Sequence, residues 1–173
     1  MHTILQKLEG SDLRSIGRVG EVVNKVIAAP RLFSVVFDGI LKNDPVMRMH
    51  CADAVEKITR QHPEYLEPFK KKLIQKVAKI EQQEVRWHTA QFLSRLTLNQ
   101  AERRRVHTIL TGFLSDESRI VKTFTMRALA DLADQDEELR TPIITSLEVL
   151  TRAGSPVMQS RGRKLLIKLK RKV

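Results

Sequence analysis

The chain has 173 residues, 42% of them hydrophobic and 29% charged, a balance that fits a folded globular chain and excludes disorder. Lys and Arg outnumber Asp and Glu by 31 to 20, and the resulting +11 favours acidic partners such as nucleic acid, an anionic membrane surface or an acidic protein. A single cysteine excludes an intrachain disulfide and a cysteine-based metal cluster. Seven glycines and the absence of strand-like alternation exclude an all-β fold, and no window holds 18 uninterrupted apolar residues, so no segment is expected to span a membrane. The first ten residues, M-H-T-I-L-Q-K-L-E-G, lack the long apolar run of a signal peptide, so a cytoplasmic, reducing location is the expectation.

In chain order, residues 1–8 read as a short apolar-faced helix, broken at Gly10-Ser11-Asp12, where Ser11 or Asp12 can cap a second helix. That second helix, about Leu13 to Ala28, places Ile16, Val19, Val23, Val26 and Ile27 on one side. Gly17 and Gly20 within it are explained by close helix–helix contact and not by a phosphate loop, since no strand precedes them. Ala29-Pro30 ends that helix. Arg31–Leu41 then carries Leu32, Phe33, Val36, Phe37 and Ile40 at helical spacing. In Asn43-Asp44-Pro45, Asp44 can cap and Pro45 takes the first helical position, where its missing N–H costs nothing. The helix Val46–Arg60 is expected to bury Met47, Cys51, Ala54, Val55 and Ile58. His62-Pro63 and Glu67-Pro68 bracket a linker, and Phe69–Ile80 forms a helix with Phe69, Leu73, Ile74, Val77 and Ile80 inward. Glu81–Glu84 is a turn before the helix Val85–Leu98. A third pair consists of Glu102–Leu114, with Val106, Ile109, Leu110 and Phe113 inward, a Ser115–Ser118 turn, and Arg119–Ala133. An acidic linker, Asp134–Glu138, leads to Thr141-Pro142, read as a cap and a first-turn proline. The last pair is Ile143–Arg152 and Pro156 to the C-terminus, joined at Gly154-Ser155-Pro156.

One stretch recurs along this series. Met47–Ile58 (M-R-M-H-C-A-D-A-V-E-K-I) is followed by Val85–Leu96 (V-R-W-H-T-A-Q-F-L-S-R-L), by Val121–Leu132 (V-K-T-F-T-M-R-A-L-A-D-L) and by a worn copy, Met158–Leu169 (M-Q-S-R-G-R-K-L-L-I-K-L). A period of about 36 residues marks stacked repeats, because no single helix pair can bury its apolar face alone. Paired helices of this length, joined by turns rich in Asp, Pro and Ser and followed by V-R-x-x-A-x-x-A-L-x-x-L, resemble HEAT repeats, an armadillo-type family. The resemblance covers about Arg31–Lys170. It is closest in Asn43–Thr59 and Glu84–Thr97, good in Asp116–Leu132, and weakest in the last unit, where Arg161, Gly162 and Arg163 stand in place of small apolar residues.

This resemblance implies a single all-α domain over residues 1–173, a right-handed α–α superhelix (solenoid) of about four to five HEAT-like helix pairs. It has a partial first repeat at 1–29, repeats at about 31–62, 66–99, 102–136 and 141–170, and a basic C-terminal tail at 168–173. The first helix of each pair then lies on the convex side and the second lines the concave side. Arg48, Arg86 and Lys122 are repeat-equivalent, and in HEAT repeats that position bonds to turn acids and carbonyls of the adjacent repeat; Asp44, Glu84 and Asp116 stand ready for this.

Little in the chain carries catalytic chemistry. His50 and His88 are repeat-equivalent, but two histidines without a third ligand make a poor zinc site, and Phe124 holds that place in the third repeat, so a packing role is expected. His62 and His107 are isolated. Cys51 replaces a core alanine and reads as a small buried hydrophobe. No His-Glu dipeptide occurs, so the di-iron HEAT hydroxylases are not supported, and no nucleophile-elbow, phosphate-loop or zincin pattern is present. A remote reading is a HEAT-like alkylpurine DNA glycosylase, with Trp87 beside Asp53, Glu84 or Gln91. No cofactor or metal is expected, and the chain reads as a non-enzyme.

The charges are more informative. Lys70-Lys71-Lys72 and Arg103-Arg104-Arg105 begin the first helices of successive repeats, where cations oppose the helix dipole. With Lys57, Arg60 and Arg95 they define a basic rim, interrupted at Asp134–Glu138 and opposite an acidic rim of Asp44, Glu81, Glu84, Asp116 and Glu117. The tail adds Arg161, Arg163, Lys164, Lys168, Lys170, Arg171 and Lys172. Two readings compete: an interaction scaffold for a protein partner with an acidic surface, or a module that neutralises nucleic-acid phosphates without reading bases. Aromatic residues at 5% argue against single-strand stacking, so a duplex backbone is the nucleic-acid target expected. Leu165, Leu166, Ile167 and Leu169, in a basic frame with no repeat after them, imply weak homodimerisation through the C-terminal repeat.

Overall fold

A computed structural model describes residues 2–10 and 17–171, and every regular element among them is helical. Ten α-helices occur among the described residues: α1 (Thr3–Gln6), α2 (Val19–Ala28), α3 (Phe33–Gly39), α4 (Pro45–Gln61), α5 (Lys70–Gln75), α6 (Gln83–Arg95), α7 (Gln100–Phe113), α8 (Arg119–Ala133), α9 (Glu137–Ala153) and α10 (Pro156–Lys170). The chain falls into two compact units, residues 1–96 and 97–173.

In the first unit α4 is the hub, packed against α2, α3 and α6. Asp44 caps it through its carboxylate, accepting from the N–H groups of Val46 (2.8 Å) and Met47 (3.0 Å), and Pro45 opens it. Its expected stripe of Met47, Cys51, Ala54, Val55 and Ile58 is buried, and so are Val36, Phe37 and Ile40 from α3 and the residue after it. Several expectations fail here. The helix expected from Leu13 begins at Val19, because Gly17 has a left-handed φ of 51° and lies outside it; Ser11, Asp12, Leu13 and Ile16 fall outside the described residues. Gly20 meets nothing within 4 Å, so close packing does not explain it, and Ile27 is 37% exposed. The single helix expected over Phe69–Ile80 is instead broken. A 3-10 helix, Pro63–Phe69, occupies the expected linker and buries Leu66. The short α5 comes next, and a 3-10 turn, Val77–Lys79, closes the segment. Pro63 and Pro68 each remove a backbone donor there, which favours the tighter, shorter pieces.

The second unit packs α8 against α7, α9 and α10, with α9 and α10 in extensive contact. α7 begins earlier than expected. Asn99 and Glu102 form a capping box, each side chain accepting from the other's backbone N–H at 2.9 Å. α9 also begins earlier. Asp136 is its cap, accepting from Glu138 N–H (3.1 Å) and Leu139 N–H (3.4 Å), so the Thr141 cap and first-turn Pro142 are corrected: Pro142 lies inside the helix. α10 carries Met158, Gly162, Leu165 and Leu169 into the core, which fixes the register of the stretch Arg161-Gly162-Arg163, where the repeat pattern is weakest.

Gly162 is required by proximity. A Cβ there would lie 1.9 Å from Thr151 Oγ1 and 3.1 Å from Met126 Cε. Gly39 is its counterpart in the first unit, where a Cβ would lie 2.3 Å from Cys51 Sγ. Gly162→Ala should therefore lower stability by about 1–2 kcal/mol in urea denaturation, overpacking outweighing the gain of roughly 1 kcal/mol in helix propensity. Thr151→Ala should recover part of that loss in the double variant.

Candidate functional site

The cations expected on the rim are mostly held by carboxylates of their own unit. In the first unit, Glu56 is 3% exposed and accepts from Arg60 on α4 (2.6 Å) and from Arg95 on α6 (2.6 Å). Arg95 also donates to Thr59 Oγ1 (2.8 Å) and the Glu56 carbonyl (3.1 Å). Burial raises the Glu56 pKa, but the hydrogen bonds from Arg60 and Arg95 outweigh it and hold the carboxyl below its ordinary range. Lys57 pairs with Asp53 (2.7 Å). Lys72 pairs with Asp38 (2.7 Å) and lies 5.7 Å from the centre of the Phe69 ring, Lys70 is half-buried and engaged, and Lys71 is exposed.

In the second unit Arg103 donates to Asp136 (2.7 Å), the carboxylate that caps α9, and to the Leu98 carbonyl (2.8 Å). Burial raises the Asp136 pKa, and the hydrogen bond from Arg103 turns the net shift downward. Arg104 pairs with Glu138 (2.9 Å), and Arg105 is exposed without an ion pair among the described residues. Asp136 and Glu138 of the acidic linker are thus the partners of Arg103 and Arg104, not an interruption of a free basic rim. Lys168 pairs with Asp134 (2.7 Å), and Lys170 pairs with Glu148 (2.7 Å). Arg161, Arg163, Lys164 and Arg171 make no ion pair among the described residues, and Lys172 lies outside them.

Arg48 and Arg86 both make contacts in the turns that precede their own helices. Arg48 donates to the Lys42 carbonyl, and Arg86 reaches Glu81 at 3.6 Å. Gln82 bonds its turn to the preceding one, its amide donating to the Pro45 carbonyl (2.8 Å). Asp44 and Asp116 accept from local backbone N–H groups. His50 is buried, its Nδ1 donating to the Leu8 carbonyl at 2.7 Å. Cys51 is sealed, and burial pushes its thiol up to about 12. Trp87 is half-buried, with its ring centre 5.6 Å from that of His88, and Asp53 is taken up by Lys57. Among the described residues no group of three or more His, Cys, Asp or Glu converges as a metal site.

The surface that remains open in the second unit lies between α8 and α10. A groove of about 640 Å³ is lined by Arg127, Arg161, Lys164 and Lys168 with Pro156, Val157, Ser160 and Leu165. At its end a hollow of about 450 Å³ is lined by Arg119, Ile120, Thr123, Phe124, Ser155, Pro156 and Val157. Ile120 is 50% and Val157 63% exposed. The α8 contribution, Ile120, Phe124 and Arg127, does not stand out in the charge pattern of the sequence. Ile120, one residue ahead of the buried Val121, is the signal that could have found it. No protein-family model matches the chain, and no curated protein matches it.

His88 gives an acid-sensitive element in the first unit. It is 8% exposed, and burial lowers its pKa from about 6.5 to about 4, against the opposing pull of Asp53 and Glu56. Between those values the unfolded chain takes up a proton that the folded chain refuses, so stability falls as pH falls through this window. The loss approaches roughly 3 kcal/mol by pH 4. His88→Phe, which installs the residue of the third repeat, should flatten that part of a urea-midpoint-versus-pH profile.

Proposed function

We propose that the chain is a HEAT-like interaction scaffold, a right-handed α–α superhelix without catalytic activity, that binds a protein partner presenting an acidic surface. The helix pairing within each unit and the recurrence of stretches led by Met or Val, followed in three of the four by Arg or Lys, support the family reading. The observation that carries the functional reading is the mixed character of the α8–α10 face, where Arg161 and Lys164 stand beside the exposed side chains of Ile120 and Val157. A phosphodiester backbone rewards cations but gains nothing from aliphatic groups, whereas an acidic protein surface can use both. The internal engagement of Arg60, Arg95, Arg103 and Arg104 weighs in the same direction, because it ties up four cations of the expected basic rim that a phosphate backbone would need.

The test compares two labelled anions of matched charge by fluorescence anisotropy, an arbitrary-sequence DNA duplex and an acidic peptide that also carries leucines. The peptide should bind more tightly at about 150 mM salt, and duplex binding should collapse between about 50 and 200 mM. Duplex binding that is tighter than peptide binding and persists at the higher salt would replace this reading with phosphate recognition.

A further inference from the structure

The second helices of the last two pairs present matched stripes. On α8, Ile120, Phe124, Arg127 and Asp131 recur at helical spacing, and on α10, Val157, Arg161, Lys164 and Lys168 do the same. The two helices pack against each other, so the stripes form the walls of one continuous groove. Its two ends differ. Near the N-termini of both helices it is mostly apolar, with Ile120, Phe124, Pro156 and Val157 beside the exposed Arg119. Toward the other end it is cationic, with Arg127, Arg161, Lys164 and Lys168. Asp131 holds Arg127 (3.0 Å) and, with Asp134, Lys168 (3.9 and 2.7 Å), which leaves Arg161 and Lys164 as the α10 cations lining the groove without a carboxylate among the described residues. Neither sits in the last turn of α10, so the helix dipole does not account for them.

We infer that this groove docks an acidic amphipathic segment of a partner protein, with an apolar anchor in the Ile120–Phe124–Val157 hollow and carboxylates over Arg161 and Lys164. The inference rests on the acidic-protein reading above and adds the place, the length and the polarity of the ligand. Charge complementarity names the partner: an excess of cations beside an apolar seat selects carboxylates joined to an aliphatic or aromatic side chain. From Val157 to Lys168 the stripe runs about 16 Å at 1.5 Å per residue, the length of about three helical turns or five extended residues.

The probe is a twelve-residue acidic peptide with leucines at one end, titrated with the whole chain by anisotropy. Its control has those leucines changed to serine. Arg161→Glu with Lys164→Glu should weaken the leucine peptide at least about tenfold, with the circular dichroism spectrum and melting profile unchanged. Ile120→Ser with Val157→Ser should weaken the leucine peptide about fivefold and leave the serine peptide unchanged, which reports the anchor directly. Lys71→Glu with Arg105→Glu makes the same change in net charge on exposed, unpaired cations elsewhere and should have little effect. Equal losses from that control pair would mean that binding follows net charge, and the groove assignment would fall while the acidic-partner reading stood. Failure of the wild-type chain to bind either peptide would overturn both. If the cation variants weakened a DNA duplex as much as the peptide and the apolar variants did nothing, the groove would be a phosphate surface and the inference would be wrong.

Discussion

The structure depends on one steric constraint, a small side chain at the fifth position of each repeated stretch: Cys51, Thr89, Thr125 and Gly162, all buried. At Cys51 and Gly162 the helix lies in close contact with a neighbour. Cys51 Sγ sits where a Cβ on Gly39 would be, and Gly162 sits against Thr151, leaving no room for a methyl group. The close approach fixes how each second helix is rotated about its axis. Residues on the opposite side are thereby set outward, and on α10 these include Arg161, Lys164 and Lys168, which line the groove. The steric requirement and the candidate binding surface are two faces of the same helices.

The second organising principle is the disposition of charge. A chain of +11 has to place many cations without mutual repulsion, and here it does so by giving its few buried carboxylates more than one duty. Glu56 joins α4 to α6 through Arg60 and Arg95, and Asp136 both caps α9 and holds Arg103 of α7. Each carboxylate loses hydration on burial, and charged hydrogen bonds offset that loss. The unfavourable position of Arg103 and Arg104 near the start of α7 has a structural compensation in Asp136 and Glu138. Among the cations that this internal pairing leaves free are Arg161 and Lys164 on α10, next to exposed aliphatic groups.

Helical class, the stripe of α4 and the turn at Asn43-Asp44-Pro45 were legible in the sequence because each depends on local periodicity and capping chemistry. The break-up of Phe69–Ile80 was not legible, since its apolar spacing is helical and the interruption comes from Pro63, Pro68 and the packing of Leu66. The start of α9 was misplaced because Thr141-Pro142 has the composition of a helix start, whereas Asp136 supplies the cap through its own carboxylate five residues earlier. The basic groups were legible as residues but not as partners. Arg103 and Asp136 are 33 positions apart, and a charge pattern alone does not pair groups at that distance. Of the candidate groove, the α10 half was visible as a run of cations, while the α8 half was hidden in an ordinary amphipathic helix.

The placement of Trp87 and Tyr65 has a spectroscopic consequence. Both belong to the unit of residues 1–96, and the chain has no other tryptophan or tyrosine. Indole emission therefore follows that unit alone, while far-ultraviolet ellipticity, dominated by helices α1–α10, follows both. Melting curves recorded by the two signals will coincide only if the units unfold as one cooperative body. A second unit that melted separately would be dark in fluorescence and visible only in ellipticity, so the two signals together measure the cooperativity between the halves of the chain.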